Sequence, residues 1–140
     1  MDKNVTLLVV DNSPINLEMM CSLFEPFGYI VLTASNVTDG LELARQVAPD
    51  LIISDLHMPG ADGFEFIGRA KADRQLQDVP FAFISSTIWQ TSDSQKALEL
   101  GAVKFIQRPI EPQQFLREVE ECLKSKLSEG KYPHDHEAGA

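Results

Sequence analysis

The chain is short of cysteine and of positive charge, and it has no long apolar run. Its two cysteines, Cys21 and Cys122, are too few for a disulfide framework in 140 residues. Both fall on helix-like segments and read as reduced, partly buried thiols of a cytoplasmic protein. Lys and Arg number 12 against 21 Asp and Glu, a net charge of −9. That deficit argues against direct binding to nucleic acid, which needs basic residues to neutralise phosphates, and against docking on an anionic membrane. No apolar run reaches the roughly 18 residues of a membrane span. The opening Met1-Asp2-Lys3-Asn4 carries no signal-peptide pattern. Internal repeats and low-complexity segments are also missing. What remains is an ordinary single domain, with 44% apolar and 24% charged residues, long enough to bury a core without a staple.

Short β-rich runs alternate with helical stretches. Val5 to Val10 is a continuous apolar run, the mark of a strand buried on both faces. Ser13-Pro14 reads as a helix cap followed by proline at the first helical position. Leu17, Met20, Phe24 and Phe27 follow at helical spacing, with Pro26 expected to fray or kink the last turn and Gly28 to end it. Strands are expected at Tyr29–Ala34, Leu51–Ser54, Phe81–Ile84 and Val103–Ile106. Helix starts are expected at Asn36 with Asp39, Asp62 with Glu65, Ser92 with Gln95, and Glu111-Pro112. The last helix carries Phe115, Val119 and Cys122 on one face. Five strand–helix units imply a parallel, doubly wound α/β sheet with right-handed crossovers, and are too few for an eight-stranded barrel. Apolar periodicity stops near Glu129, so residues 1–128 read as the domain and 129–140 as a flexible tail or shortened linker.

In such a sheet the residues that follow the strands converge at one edge. Here these are Asp11-Asn12, Asp55 with His57, Ser85-Ser86, and Gln107-Arg108-Pro109. Two carboxylates suit a hard divalent cation such as Mg²⁺. With hydroxyls and a guanidinium they form a set able to hold a phosphoryl group, and one carboxylate could be the nucleophile. Serine or cysteine hydrolase chemistry is not indicated, because no histidine is paired with either nucleophile.

The blocks VVDNSPIN (9–16), DLIISDLHMPGADGFEF (50–66), PFAFISS (80–86) and GAVKFIQRP (101–109) resemble, in order, the signature blocks of the response-regulator receiver domain. The resemblance spans roughly Val5 to Leu127. It implies a flavodoxin-like (βα)₅ fold with strand order 2-1-3-4-5 and a switch that catalyses only its own phosphorylation and dephosphorylation. Asp55 matches the phospho-accepting aspartate. Asp11 and Asn12 match the acidic pair of the Mg²⁺ site, and His57 the residue whose backbone carbonyl completes it. Ser85 matches the hydroxyl that bonds the phosphoryl group, Ser86 the small residue beside it, and Phe105 the aromatic switch. Arg108 and Pro109 match the Lys-Pro pair, usually joined by a cis bond. The implied partners are a histidine kinase or phosphotransfer protein and, through the fourth helix, fifth strand and fifth helix, a downstream protein, an output domain or a second copy.

Two positions depart from the pattern. Asn12 stands where a second acidic residue is usual, which removes one negative charge from the cation site. Arg108 stands where lysine is usual, replacing a point charge with a planar fork. These departures keep open a second reading, a degenerate receiver that acts as an interaction module without phosphorylation. The same fold also carries FMN binders and aspartyl phosphatases. Asp11 near the phosphate position disfavours the first, and His57 two residues after Asp55 disfavours the second. His57 is expected to point outward. Ile88 and Trp89 read either as loop packing or as a contact surface, Phe105 either as core or as switch, and His134-Asp135-His136 as part of the tail.

Overall fold

Leu7 to Val10 holds no polar side chain, and all four residues are buried. Such a strand needs cover on both faces, and the fold supplies it. The computed structural model describes residues 5–58, 62–85, 91–108 and 110–130. Its strands are β1 (Thr6–Val10), β2 (Ile30–Ala34), β3 (Leu51–Asp55), β4 (Phe81–Ser85) and β5 (Lys104–Gln107). Its helices are α1 (Pro14–Phe24), α2 (Val37–Val47), α3 (Gly63–Ala72), α4 (Thr91–Glu99) and α5 (Pro112–Gly130). The strands form one parallel sheet in the order β2-β1-β3-β4-β5. Among the described residues no helix is long and apolar enough to cross a membrane.

Strand side chains alternate between the two faces. Leu8, Val10, Ile52, Phe81 and Phe83 pack with Leu41, Phe66, Ile67 and Ala97 of α2, α3 and α4. Leu7, Val9, Ile53, Ala82 and Ile84 pack with Met20, Phe24, Phe115 and Val119 of α1 and α5. Gly40 permits the close seating of α2, since a Cβ there would lie 3.0 Å from a Val10 methyl.

Local capping follows the expected pattern. The Ser13 hydroxyl accepts from the Asn16 N–H, Asn36 from Asp39 and Asp62 from Glu65. Each satisfies an N–H that the helix start leaves without a backbone partner. Several boundaries differ from expectation. β1 and β2 start one residue late, β5 is shifted by one, and β3 and β4 run one residue further, because strand length is set by pairing: Asp55 lies opposite Ile84 and Ser85 opposite Gln107. α4 begins at Thr91, so Ser92 lies inside its first turn and is not the cap. α5 continues to Gly130. Phe27 is 66% exposed instead of joining the core. Pro26 lacks an N–H for the α ladder, so Glu25–Phe27 winds as a tighter 3₁₀ turn and rotates Phe27 off the apolar face. Gly28 then ends the turn at φ 94°, as its left-handed freedom allows.

Candidate functional site

The sheet register assembles the site. Val10 pairs with Ser54, so Asp11 and Asp55 come next on adjacent strands. Asp55 pairs with Ile84, which puts Ser85 one step further on β4. Ser85 pairs with Gln107, and Arg108 follows. Four chemically active residues, separated by up to 97 positions in sequence, therefore meet at the carboxyl ends of β1, β3, β4 and β5.

Asp11 is the more enclosed of the two carboxyls, at 2% exposure. A buried carboxyl needs donors, and three reach it. The Ser13 backbone N–H donates to Oδ1 at 2.9 Å. The Asn16 side-chain amide donates to Oδ2 at 3.1 Å. Arg108 Nη1 stands 3.5 Å from the same Oδ2 as an ion pair. Asn12, next along, is exposed.

Asp55 is half-buried, and its Oδ1 accepts the Leu56 N–H at 3.0 Å. Its carboxyl is harder to ionise than an ordinary aspartate. Burial is the largest cause and the negative charge of Asp11 the next, while the Leu56 N–H, Arg108 and His57 act in the opposite direction. Among the described residues no side chain forms a salt bridge with it. His57 is exposed beside it.

Ser85 is fully buried, and its carbonyl accepts the Arg108 N–H at 2.8 Å. The Gln107 side-chain amide also donates to the Ser85 carbonyl, at 3.3 Å, and to the Arg108 carbonyl, at 3.1 Å. It braces the two strand ends that carry Ser85 and Arg108. Phe105 is half-buried with its ring 6.2 Å from Phe83. Ser86, Ile88, Trp89, Pro109 and the His134-Asp135-His136 segment lie outside the described residues.

Sequence reasoning assigned no role to Asn16, Gly63 or Gln107. Gly63 starts α3 directly beneath Asp55. Its N–H donates to the Leu56 carbonyl at 2.8 Å, and a Cβ there would fall 2.6 Å from Phe83 and 2.9 Å from the Asp55 carbonyl. Only glycine allows this approach. The pair Asp62-Gly63 was the available signal. Asn16 and Gln107 gave none, because an amide in a helix or at a strand end has no distinctive pattern. An apolar groove of about 780 Å³ also opens beside the site, between α1 and the start of α5. Ile15, Met19, Ile110, Phe115, Asn16 and Arg108 line it.

Among the described residues no three His, Cys, Asp or Glu side chains cluster as a metal site. Asp11 and Asp55 would offer two hard carboxylate ligands, and the Asn12 amide and a backbone carbonyl at His57 would be neutral oxygen donors. This oxygen set, with two carboxylates close enough to perturb one another, fits a small hard cation.

Comparison with known proteins agrees with this architecture. The family profile of the response regulator receiver domain matches residues 7–120. Protein PilH of Pseudomonas aeruginosa is 31% identical over 117 residues, which cover 84% of this chain and 96% of PilH. The phosphate regulon transcriptional regulatory protein PhoB of Escherichia coli is 27% identical over 84% of this chain but only 51% of its own length. Among solved structures, the chemotaxis response regulator CheY4 of Vibrio cholerae superposes with a TM-score of 0.80 at 27% identity, covering 86% of this chain and all of that one. With the strand order and the carboxyl-edge cluster, the match establishes that the chain belongs to the response-regulator receiver family of two-component signal transduction.

Proposed function

We propose that the chain is a phosphorylation-controlled switch that accepts a phosphoryl group on Asp55 from a histidine kinase or phosphotransfer protein. The observation that carries this reading is the register of the sheet, which brings Asp11, Asp55, Ser85 and Arg108 to one edge. Asp55 is half-buried with no salt-bridge partner among the described residues. Its attack on phosphorus forms the Asp55 O–P bond as the donor P–N bond breaks, and the imidazole leaves with the electron pair. Ser85 and Arg108 then hold the phosphoryl oxygens. Asp11, Asn12, Asp55 and the His57 carbonyl would hold Mg²⁺, which neutralises charge on the transferring oxygens. Such a donor places the chain in the cytoplasm. The apolar groove beside Arg108 opens on the same edge and is the seat assigned to the donor.

Phosphorylation enlarges the charge on Asp55 and adds acceptors. Drawing Ser85 and Arg108 toward it favours one of two packings around Phe105, which α4, β5 and α5 present to a downstream protein, an output domain or a second copy. Residues 1–128 form the switch, and 129–140 are read as a tail or linker. A second reading rests on one observation, the Arg108–Asp11 ion pair beside a neutral Asn12. It makes the chain an interaction module that needs no phosphorylation.

Intact mass after incubation with acetyl phosphate and Mg²⁺ separates the two. A gain of one phosphoryl group in the wild type, absent in Asp55→Asn, supports the switch. No gain in the folded wild type overturns it in favour of the interaction module.

A further inference from the structure

The helices are not held to the sheet equally. α2 buries Val37, Leu41 and Ala44, and α3 buries Phe66, Ile67 and Ala70. Among the described residues of α4 only Ala97 is buried. A helix in a protein is held mainly by the apolar face it packs, and α4 packs little. Two lysines lie between it and α3. At the exit of α4, Gly101 turns the chain at φ 113°, and a Cβ there would lie 3.1 Å from Lys71 Cε. The Lys71 ammonium donates to the Gln77 and Val79 carbonyls, each at 3.2 Å, so this end of α4 rests on a side chain that is itself tied down. The Ala102 N–H donates to the Ala97 carbonyl at 3.0 Å, and the Val103 N–H to the Phe81 carbonyl at 2.8 Å, which fixes the same end to β4. Nearer the middle of α4, Lys96 Nζ stands 4.5 Å from the centroid of the Phe64 ring. Phe64 is the second residue of α3, and its ring meets that of Phe83 edge-on, with centroids 5.9 Å apart. Lys96 is exposed and Phe64 half-buried.

We propose that α4 is an arm hinged at Gly101 and clasped to α3 by Lys96, whose ammonium sits on the face of Phe64. An ammonium over an aromatic face is drawn to the negative side of the ring quadrupole, and Phe83 keeps this ring in place from behind. The clasp is a single exposed contact, so it opens readily. The hinge end is bonded to a buried strand and does not follow. α4 leaves its seat as a unit while the sheet and the other helices stay packed. A protein that docks on the α4, β5 and α5 side repositions α4 by undoing this one contact. The inference goes beyond the phosphoryl-transfer reading and does not depend on it, since the clasp is present in the unmodified chain.

Native-state hydrogen exchange of the full chain, resolved by amide, tests it with Lys96→Met, Phe64→Leu and the double variant. Methionine keeps an unbranched stem and leucine an apolar body, so the charge and the aromatic face are what each change removes. Lys96→Met is expected to speed exchange of the α4 amides about two- to fivefold, the range of an exposed cation–π contact, and Phe64→Leu at least as much. In the Phe64→Leu background Lys96→Met is expected to add nothing, because the clasp is already open. The amides of α2, α5 and Ala102 are expected to keep their wild-type rates in Lys96→Met. Unchanged α4 exchange in Lys96→Met overturns the clasp, and so does an equal effect of that change with and without Phe64. Equal acceleration in α2 overturns it too, since the contact then supports the whole fold and not the seat of α4. A second measurement needs no variant. The Lys96 ε-methylene protons of the wild type are expected to resonate upfield of those of an ordinary lysine, shifted by the Phe64 ring current, and an ordinary position overturns the clasp. Neither measurement uses Mg²⁺ or a phosphodonor, so failure here leaves the reading of Asp55 standing, and failure of that reading leaves the clasp.

Discussion

A carboxyl group that is half-buried beside a second carboxyl resists ionisation, and Asp55 is in that position. Burial and Asp11 raise its pKa above the ordinary aspartate value. The folded chain therefore holds the Asp55 proton more tightly than the unfolded chain does. The stability linked to that proton is complete below the ordinary value and is lost as pH rises through the raised one. At neutral pH, without a cation, ionised Asp55 works against the fold. Asp55→Asn removes the charge and keeps an oxygen for the Leu56 N–H. We expect it to melt higher than the wild type at pH 7 in metal-free buffer, with the difference shrinking as pH falls below the ordinary aspartate value. Calorimetric melts across that range check this, and a difference that does not vary with pH contradicts it. Asn16 and Gln107 belong to this same scale. Their roles depend on which oxygens stand opposite them, and that is decided by turn geometry and strand register.

At the scale of elements, helix starts were the most legible part of the sequence. Ser13, Asn36 and Asp62 each cap through a bond to an N–H three residues on, so the whole interaction lies within a few letters. Strand ends were less legible, because Asp55 and Ser85 become strand residues only by pairing with Ile84 and Gln107. The gathering of Asp11, Asp55, Ser85 and Arg108 could be read from the alternation of strands and helices. The Arg108–Asp11 pair could not, since it is a choice among neighbours that the fold has already assembled. Helix ends also carry information that the pattern hides. α2 closes on Ala48 in the left-handed region at φ 49°, where a Cβ is unfavourable. Ala48 is exposed, so Ala48→Gly relieves the strain without opening a cavity. It is expected to stabilise the chain by about 0.5 kcal/mol after the extra unfolded-state entropy of glycine. A rise in the urea midpoint at unchanged slope is the reading that bears this out, and a fall refutes it.

Across the whole molecule, the α1–α5 side of the sheet encloses Cys122, which is 1% exposed. Burial pushes its thiol up to about 11, above that of an ordinary cysteine. The thiolate is the reactive form, so both access and ionisation protect it. Cys21, half-buried on α1, is expected to alkylate roughly tenfold faster or more in the native protein, with the two rates converging in denaturant. Peptide mass mapping after timed iodoacetamide treatment measures both sites, and comparable native rates would show that α5 opens without global unfolding.

The sheet that presents the site also divides the interior. The buried side chains on its two sides form separate clusters, one under α2, α3 and α4 and the other under α1 and α5. Among the described residues no buried side chain belongs to both. Among the described residues the two half-interiors are separated by the sheet backbone, so volume lost in one is not refilled by buried side chains from the other. In evolutionary terms the chain has two nearly independent packing problems. The side that borders the apolar groove is free to drift with whatever it meets there, and the side behind Phe105 need not be redesigned to follow.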